Sequence, residues 1–261
     1  MRYGLIGCGM MGGEHIRNLH LLRDAHISAL ADPDDYMLDA AKTLSASQPK
    51  IFSDYRDLLA ADDFDALIIA APNDLHHGIM KDALGLGKPV LCEKPLCTTS
   101  ADCYDLIRLA GNTPVWVAME YRFMPPVQRL LGCLQDGSVG KTHMLAIREH
   151  RFPFLEKIGD WNRFNRRTGG TMIEKCCHFW DLMRLILKSD PVRIYASAAM
   201  DVNHRTESYD GETPDIIDNG FVVIDFANGM RGMLDLCMFG EGAAYQEEIS
   251  VTGDAGRVEA L

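Results

Sequence analysis

Strand-like and helix-like patterns alternate through the first 120 residues of this chain of 261 residues. Short apolar runs occupy residues 3–6, 27–31, 66–71, 90–92 and 115–119, and segments with apolar side chains at helical spacing separate them. The run at 66–71 is apolar at six successive positions, which is typical of a parallel strand covered on both faces. Alternating β and α units of this kind predict a doubly wound parallel sheet.

The pattern changes after residue 122. Two prolines at 125 and 126 open one predicted helix, and apolar spacing predicts another from 172 to 187. Predicted strands follow at 142–148, 192–200, 220–226, 230–238 and 247–252, and Asn228-Gly229 between two of them indicates a hairpin. We therefore predict an α/β protein with domains at 1–122 and 123–261, the second an α+β domain with a mostly antiparallel open sheet. Residues 257–261 have the pattern of another strand, so we expect the sequence to end before that domain is complete.

Composition and charge exclude several classes of protein. Hydrophobic residues make up 47% of the chain, yet no apolar run approaches the roughly 18 residues of a membrane helix, so neither a disordered nor a membrane protein is expected. The formal net charge of −11 argues against a nucleic-acid partner. The N-terminus lacks an export signal and the 8 cysteines are too sparse for a disulfide scaffold, which predicts a cytoplasmic protein.

Cysteine and histidine spacing predicts no metal site. Cys176, Cys177 and His178 are adjacent, but neighbouring residues of a helix point in different directions. No C-x-x-C pair occurs anywhere in the chain.

A glycine motif opens the first predicted helix. It fits G-x-G-x-x-G and comprises Gly7, Gly9, Met10, Met11 and Gly12. After a strand, such a motif allows a tight turn, lets the backbone approach a pyrophosphate and presents free N–H groups to phosphate. Asp32, 20 residues after Gly12, is positioned to accept hydrogen bonds from ribose hydroxyls and to repel a 2′-phosphate. The motif predicts a Rossmann domain that binds NAD in preference to NADP; the alternative is a glycine turn with a capping Asp.

A lysine follows the predicted strand at 90–92, within the sequence Glu93-Lys94-Pro95. Ligands bind at the carboxyl edge of such sheets, and Pro95 fixes the backbone beside Lys94. An ammonium there can stabilise an alkoxide that develops during hydride transfer. The alternative for a single lysine is a solvated surface charge.

Glu174, His178 and Asp181 recur at intervals of four and three residues in the predicted helix, so they are expected to share one face. Histidine is suited to proton transfer near neutral pH. From periodicity alone, a solvent-facing polar stripe is an equal alternative.

Several stretches together resemble the glucose–fructose oxidoreductase / inositol dehydrogenase / rhizopine-catabolism (Gfo/Idh/MocA) family. They are residues 7–12, Ala70-Ala71-Pro72-Asn73 followed by His76, residues 87–96, Tyr121-Arg122-Phe123 and residues 169–181. The resemblance implies an NAD(P)-dependent enzyme that acts on a sugar, a cyclitol or a related polyol. It implies that Lys94, Glu174 and His178 form the catalytic group, and that Pro72, Asn73, His76 and Glu93, with Lys94, line the nicotinamide half of the cofactor site.

The chain departs from the family pattern at two positions within residues 169–181. The family usually has Asp where Glu174 stands and Gly where Cys176 stands, so the identity of the substrate is open. Family members also generally extend further at the C-terminus.

These residues suggest the reversible oxidation of a secondary alcohol. His178 would take the hydroxyl proton, Lys94 would hold the oxygen, and Glu174 would orient the pair. Arg122, Trp161 and Asn165, with Lys94 and His178, are the predicted substrate-binding residues. The alternatives are a glycoside-cleaving relative that uses tightly held NAD and a non-catalytic protein that binds NAD or sugar. From the resemblance, we expect a homo-oligomer formed through the second sheet.

Overall fold

The apolar run at residues 66–71 forms a strand in the middle of a six-stranded parallel sheet. The computed structural model describes all residues 1–261 and divides into two compact units. The first unit comprises Met1–Ala118 together with Arg166–Gly169. Its strands are β1 (Arg2–Ile6), β2 (His26–Ala31), β3 (Lys50–Phe52), β4 (Ala66–Ile69), β5 (Val90–Cys92) and β6 (Val115–Val117).

The strand order is β3-β2-β1-β4-β5-β6, and every neighbouring pair is parallel. All four residues of β4 are buried, as expected for a strand covered on both faces. The helices of this unit are α1 (Met10–Leu19), α2 (Asp35–Ser45), α3 (Tyr55–Ala61), α4 (His76–Leu84) and α5 (Ser100–Ala110). The predicted doubly wound parallel sheet is therefore confirmed.

Two details of the first unit differ from expectation. The short edge strand β3 and the helix α3 were not predicted. Elements of three and seven residues are too short to show a clear periodicity of apolar residues. The N-cap of α5 is Thr99, whose hydroxyl accepts a hydrogen bond from Asp102 N at 3.2 Å. Ser100 is also of a residue type that favours this role, but it is the first helical residue.

The second unit, Met119–Asn165 with Gly170–Leu261, holds a second six-stranded sheet. Its strands are β7 (Thr142–His150), β8 (Pro191–Ala199), β9 (Asn219–Phe226), β10 (Arg231–Cys237), β11 (Glu247–Gly253) and β12 (Arg257–Ala260). The order is β12-β11-β7-β10-β9-β8, and only the β7–β10 pair is parallel. The mostly antiparallel sheet is thus confirmed, including the hairpin at Asn228-Gly229, where Gly229 has a φ of +84°.

The second half of the chain also contains α6 (Pro125–Gln135), α7 (Asn165–Thr168), α8 (Thr171–Glu174) and α9 (Cys177–Leu187). Buried side chains of α9, among them Phe179 and Leu182, form one hydrophobic core with inward residues of the sheet such as Ile147 and Leu234. The opposite face of this sheet is exposed along much of β8, β9 and β10.

The predicted continuous helix over 172–187 is wrong. The carbonyl of Thr171 accepts hydrogen bonds from both Lys175 N, at 3.0 Å, and Cys176 N, at 3.2 Å. This bond across five residues widens the turn, and α8 ends before α9 begins. Glu174 therefore does not share a regular helical face with His178 and Asp181.

None of the helices has both the length and the apolar character that crossing a membrane requires.

Candidate functional site

The glycine loop after β1 leaves part of its backbone uncovered. A Cβ on Gly7, whose φ is +91°, would lie 2.5 Å from the backbone of Ala70, and one on Gly12 would lie 2.2 Å from Gly7 O. These two glycines are required by the packing of the loop itself. A Cβ on Gly9 would meet no atom within 4 Å. Gly9 therefore exposes the backbone at the N-terminus of α1, where a pyrophosphate needs close approach.

Asp32 lies immediately after β2 and faces this loop. Its Oδ2 accepts a hydrogen bond from Cys8 N at 2.7 Å, and its Oδ1 accepts one from Asp34 N at 2.9 Å. Each carboxylate oxygen retains a second lone pair for a further donor. Burial, and then the charge of Asp32, raises the pKa of the Cys8 thiol to about 12, so this thiol stays neutral. An exposed glycine backbone beside an oriented carboxylate fits the pyrophosphate and ribose of a dinucleotide.

Glu93 and Lys94 directly follow β5, at the same carboxyl edge of the sheet as the glycine loop. Glu93 is buried, and its Oε1 lies 2.8 Å from Nε2 of His15 on α1. Burial alone would raise the pKa of Glu93, but the hydrogen bond and charge of His15, assisted by Lys94, lower it. Glu93 therefore stays ionised and links α1 to the segment that carries Lys94.

His15 was not among the site residues predicted from the sequence. The signal available was a histidine three residues after Gly12, in the first turns of the predicted helix. Its partner Glu93 is 78 residues away in the chain, so no local pattern indicates the pair.

Pro72, Asn73 and His76 follow β4 at this same edge. Asn73 is buried, and its Nδ2 donates to Thr168 O at 3.2 Å. The ring of His76 is fully buried, and its two nitrogens lie 2.8 Å from the carbonyl oxygens of Pro95 and Ala71. His76 therefore ties the segment after β4 to the one that follows Lys94.

In the second unit, Glu174 and His178 are both buried, at 7% and 3% exposure. Tyr121 stacks on the His178 ring, with centroids 4.2 Å apart and planes within 9°. Glu120 Oε1 lies 3.5 Å from Nε2 of His178. Two adjacent residues of the short 3-10 helix Glu120–Phe123 thus contact the face and the edge of one imidazole.

The predicted substrate-binding residues have partners within the protein. Arg122 binds both carboxylate oxygens of Asp181, and Nε lies 2.5 Å from Oδ2. The ring of Trp161 lies 5.7 Å from Lys157 Nζ. Asn165 Nδ2 donates to the carbonyl of Asp215 at 2.8 Å. The Arg122–Asp181 pair also accounts for the aspartate that the sequence pattern singled out.

Both halves of the chain match models of one protein family. The family model described as "Oxidoreductase family, NAD-binding Rossmann fold" matches residues 1–121, and the model of the same family's C-terminal alpha/beta domain matches residues 132–261. The chain belongs to the Gfo/Idh/MocA oxidoreductase family. It is an oxidoreductase with NAD as its cofactor, and the predicted family, enzyme class and cofactor are confirmed.

Similar proteins include several that are named inositol dehydrogenases. The chain is 27% identical to the myo-inositol 2-dehydrogenase of Thermotoga maritima, over 99% of this chain and 74% of that protein. It is 29% identical to the inositol 2-dehydrogenase of Burkholderia multivorans, over 98% of this chain and 72% of that protein. Among solved structures, a probable dehydrogenase from Thermotoga maritima superimposes with a TM-score of 0.86 at 25% identity, covering 100% of this chain and 75% of that one.

Proposed function

We propose that this Gfo/Idh/MocA protein transfers a hydride between NAD and a secondary hydroxyl of a sugar, an inositol or a related polyol. The observation that carries the proposal is the position of Lys94 directly after β5, at the sheet edge that also carries the glycine loop. The family membership and the inositol dehydrogenases among its relatives support the substrate class.

Three side chains of this protein divide the work of the proposed reaction. Lys94 hydrogen-bonds the substrate oxygen and stabilises the negative charge that develops on it. His178 accepts the hydroxyl proton, and Glu174 orients the substrate or the imidazole. Bound NAD supplies the hydride acceptor through its nicotinamide ring. The assignment of Lys94, Glu174 and His178 follows the family motif.

We assign the cofactor to Gly7, Gly9, Met10, Met11, Gly12 and Asp32, with Pro72, Asn73, His76, Glu93 and Lys94 toward the nicotinamide. A matched pair of variants tests this assignment. Gly9→Ala adds a methyl group that meets no protein atom, so the fold should be unaffected while NAD affinity falls. Gly12→Ala adds one that meets Gly7 O at 2.2 Å, so stability should fall as well. Wild-type NAD affinity in Gly9→Ala, by equilibrium titration, would contradict the assignment.

Arg122, Trp161 and Asn165 are proposed to contact the polyol. Trp161 offers an aromatic face to a sugar ring, and Asn165 offers an amide oxygen. Arg122 is held by Asp181, so it would present its free N–H groups in a defined direction.

The direct test is a panel of inositols and sugars screened for reduction of NAD. We expect at least one polyol to be oxidised by the wild-type protein. Lys94→Met should lower kcat by roughly 100- to 1,000-fold, the effect of removing one donor to a developing oxyanion, while the Kd for NAD changes little. Lys81→Met, on the surface of α4, is the matched control.

Each failure of this panel has a separate meaning. NAD binding without oxidation of any polyol would favour the non-catalytic alternative. Cleavage of a glycoside with no net NADH would favour the glycoside-cleaving one. An active wild type with an equally active Lys94→Met variant would contradict the role of Lys94.

We also propose that two copies associate through the exposed face of the second sheet. Tyr195, Val223 and Met233 are direct partners across β8, β9 and β10, and they are exposed by 69%, 44% and 40%. Phe221 extends this apolar row at 59% exposure. Light scattering after chromatography should give a multiple of the chain mass for the wild type and a smaller species for Val223→Glu; a monomeric wild type would contradict the proposal.

A further inference from the structure

Lys175 lies inside the motif that carries Glu174 and His178, but its side chain points into the second unit. The side chain is only 7% exposed. Its Nζ lies 2.9 Å from Glu149 Oε1 and 3.6 Å from Glu247 Oε1, and it donates to the hydroxyl of Tyr121 at 2.5 Å. A buried ammonium requires such partners, because desolvation without compensation is strongly unfavourable.

The two carboxylates repel each other, and Lys175 reduces this repulsion. Glu149 on β7 and Glu247 on β11 are directly opposite in the antiparallel register, and Glu149 is fully buried. Like charges at opposite positions destabilise a sheet. Besides Lys175, Arg151 also approaches this pair, with Nη1 at 3.6 Å from Glu149 Oε1. The cluster therefore holds the ammonium of Lys175 at a defined point in the interior.

Tyr121 connects this cluster to His178. Its hydroxyl accepts a hydrogen bond from Lys175 and donates one to Glu247, while its ring stacks on His178 with centroids 4.2 Å apart. Burial, and then the charges of Glu247 and Glu149, raise the pKa of the Tyr121 phenol. The phenol stays protonated, so Tyr121 acts through its ring and its hydrogen bonds rather than as a base.

We propose that Tyr121 is a positioning residue for His178, and that Lys175 and Glu247 hold Tyr121 in place for that role. An imidazole on its own has a soft terminal torsion, and proton transfer requires the ring within about 10–20° of the productive orientation. The stacked ring restricts that torsion from one face, and Glu120 contacts the ring edge at Nε2. This inference rests on the proposed function, because it assigns His178 the role of base.

Variants at Tyr121 separate its ring from its hydroxyl. Tyr121→Leu removes the stacking ring and should lower kcat by roughly 10- to 100-fold, the scale of a misplaced catalytic group, with KM for NAD within about twofold. Tyr121→Phe keeps the ring but loses the hydrogen bonds of the hydroxyl, so its kcat should lie between that of the wild type and that of Tyr121→Leu. Tyr104→Leu, on an exposed tyrosine of α5, is the control.

The imidazole can also be observed directly, without any substrate. In the wild-type protein, the ring current of Tyr121 should shift the carbon-bound ring protons of His178 upfield, with the signals assigned by their loss in His178→Gln. The shift should persist in Tyr121→Phe and disappear in Tyr121→Leu. Signals of His178 that are the same in Tyr121→Leu and in the wild type would contradict the stacked arrangement.

Lys175 is tested in a background that keeps the buried charges balanced. Above pH 7, where Glu149 is ionised, Lys175→Met alone leaves two opposed carboxylates and is expected to destabilise the fold, whereas adding Glu149→Gln removes one charge of each sign. The double variant should fold and yet have kcat at least about threefold below the wild type, because Tyr121 loses its hydrogen bond from Lys175 and keeps only the one to Glu247. Wild-type kcat in the folded double variant would contradict the part assigned to Lys175.

The outcomes of these experiments distinguish the positioning role of Tyr121 from the proposed function on which it rests. A wild-type protein that oxidises no polyol would contradict the proposed function and, with it, this positioning role. An active wild type with equal kcat in Tyr121→Leu would contradict the positioning role alone.

Discussion

The buried carboxyl group of Glu149 should make the wild-type protein less stable as the pH rises. Replacing Glu149 with glutamine removes this effect. Burial raises the pKa of Glu149 from its ordinary 4.5 to about 7; the charge of Lys175 opposes this shift and that of Glu247 adds to it. Between these two values the unfolded chain has released the proton and the native state still holds it. The native state thus binds more protons, and the free energy of unfolding falls as the pH rises.

The pKa difference gives the size of the effect. One pKa unit corresponds to about 1.4 kcal/mol, so the wild type should lose up to about 3 kcal/mol between pH 4.5 and 7 through this group. Glu149→Gln cannot lose that stability. Its free energy of unfolding minus that of the wild type should therefore increase across this interval and level off at higher pH, whatever constant difference the substitution adds.

The measurement is urea unfolding at closely spaced pH values, followed by tryptophan fluorescence and extrapolated to water. Glu248→Gln, on the next residue of β11 from Glu247, is the control, since Glu248 pairs with Arg148 nearer the surface. Parallel stability curves for Glu149→Gln and the wild type between pH 4.5 and 7 would refute the reasoning.

Three further predictions concern the first unit. A hydrogen bond from Cys97 outweighs burial and lowers the pKa of Cys103 to about 7. An alkylating reagent should therefore label Cys103 before the other thiols, and Cys103→Ser should abolish the fast phase of the labelling reaction. Thr99→Ala should lower stability by about 1 kcal/mol in urea unfolding, whereas Ser100→Ala should have little effect; equal losses would contradict the assigned cap. Asp32→Ala should weaken NAD binding and narrow the preference over NADP, and an unchanged ratio of the two Kd values would argue against ribose recognition by this carboxylate.

Most of the fold could be predicted because its strands carry local signals. The continuous apolar run of β4 and the Asn228-Gly229 hairpin each determine structure within a few residues, and both predictions are confirmed. The break between α8 and α9 could not be predicted in this way. The apolar spacing continues through it, while the side chain of Lys175 is held by Tyr121, 54 residues away in the chain.

The same distinction between local sequence signals and tertiary contacts applies to the candidate site. The glycine loop and Asp32 follow from a motif whose parts are close in sequence, and the structure shows their contacts directly. The pairing of His15 with Glu93 and the stacking of Tyr121 on His178 depend on tertiary contacts, so only the fold reveals them. The catalytic assignment of Lys94, Glu174 and His178 remains a prediction from the family motif.

Because Arg166–Gly169 belongs to the first unit, chimaeras that combine the two units from different family members need a matched residue pair. Arg167 donates through Nε to Asp74 at 2.9 Å, a contact between two side chains, whereas Thr168 is held through its backbone carbonyl. A chimaera joined after residue 118 would bring a foreign residue 167 against the resident Asp74. Residues 74 and 167 should therefore be transplanted together, and a residue of similar size kept at the buried position 168.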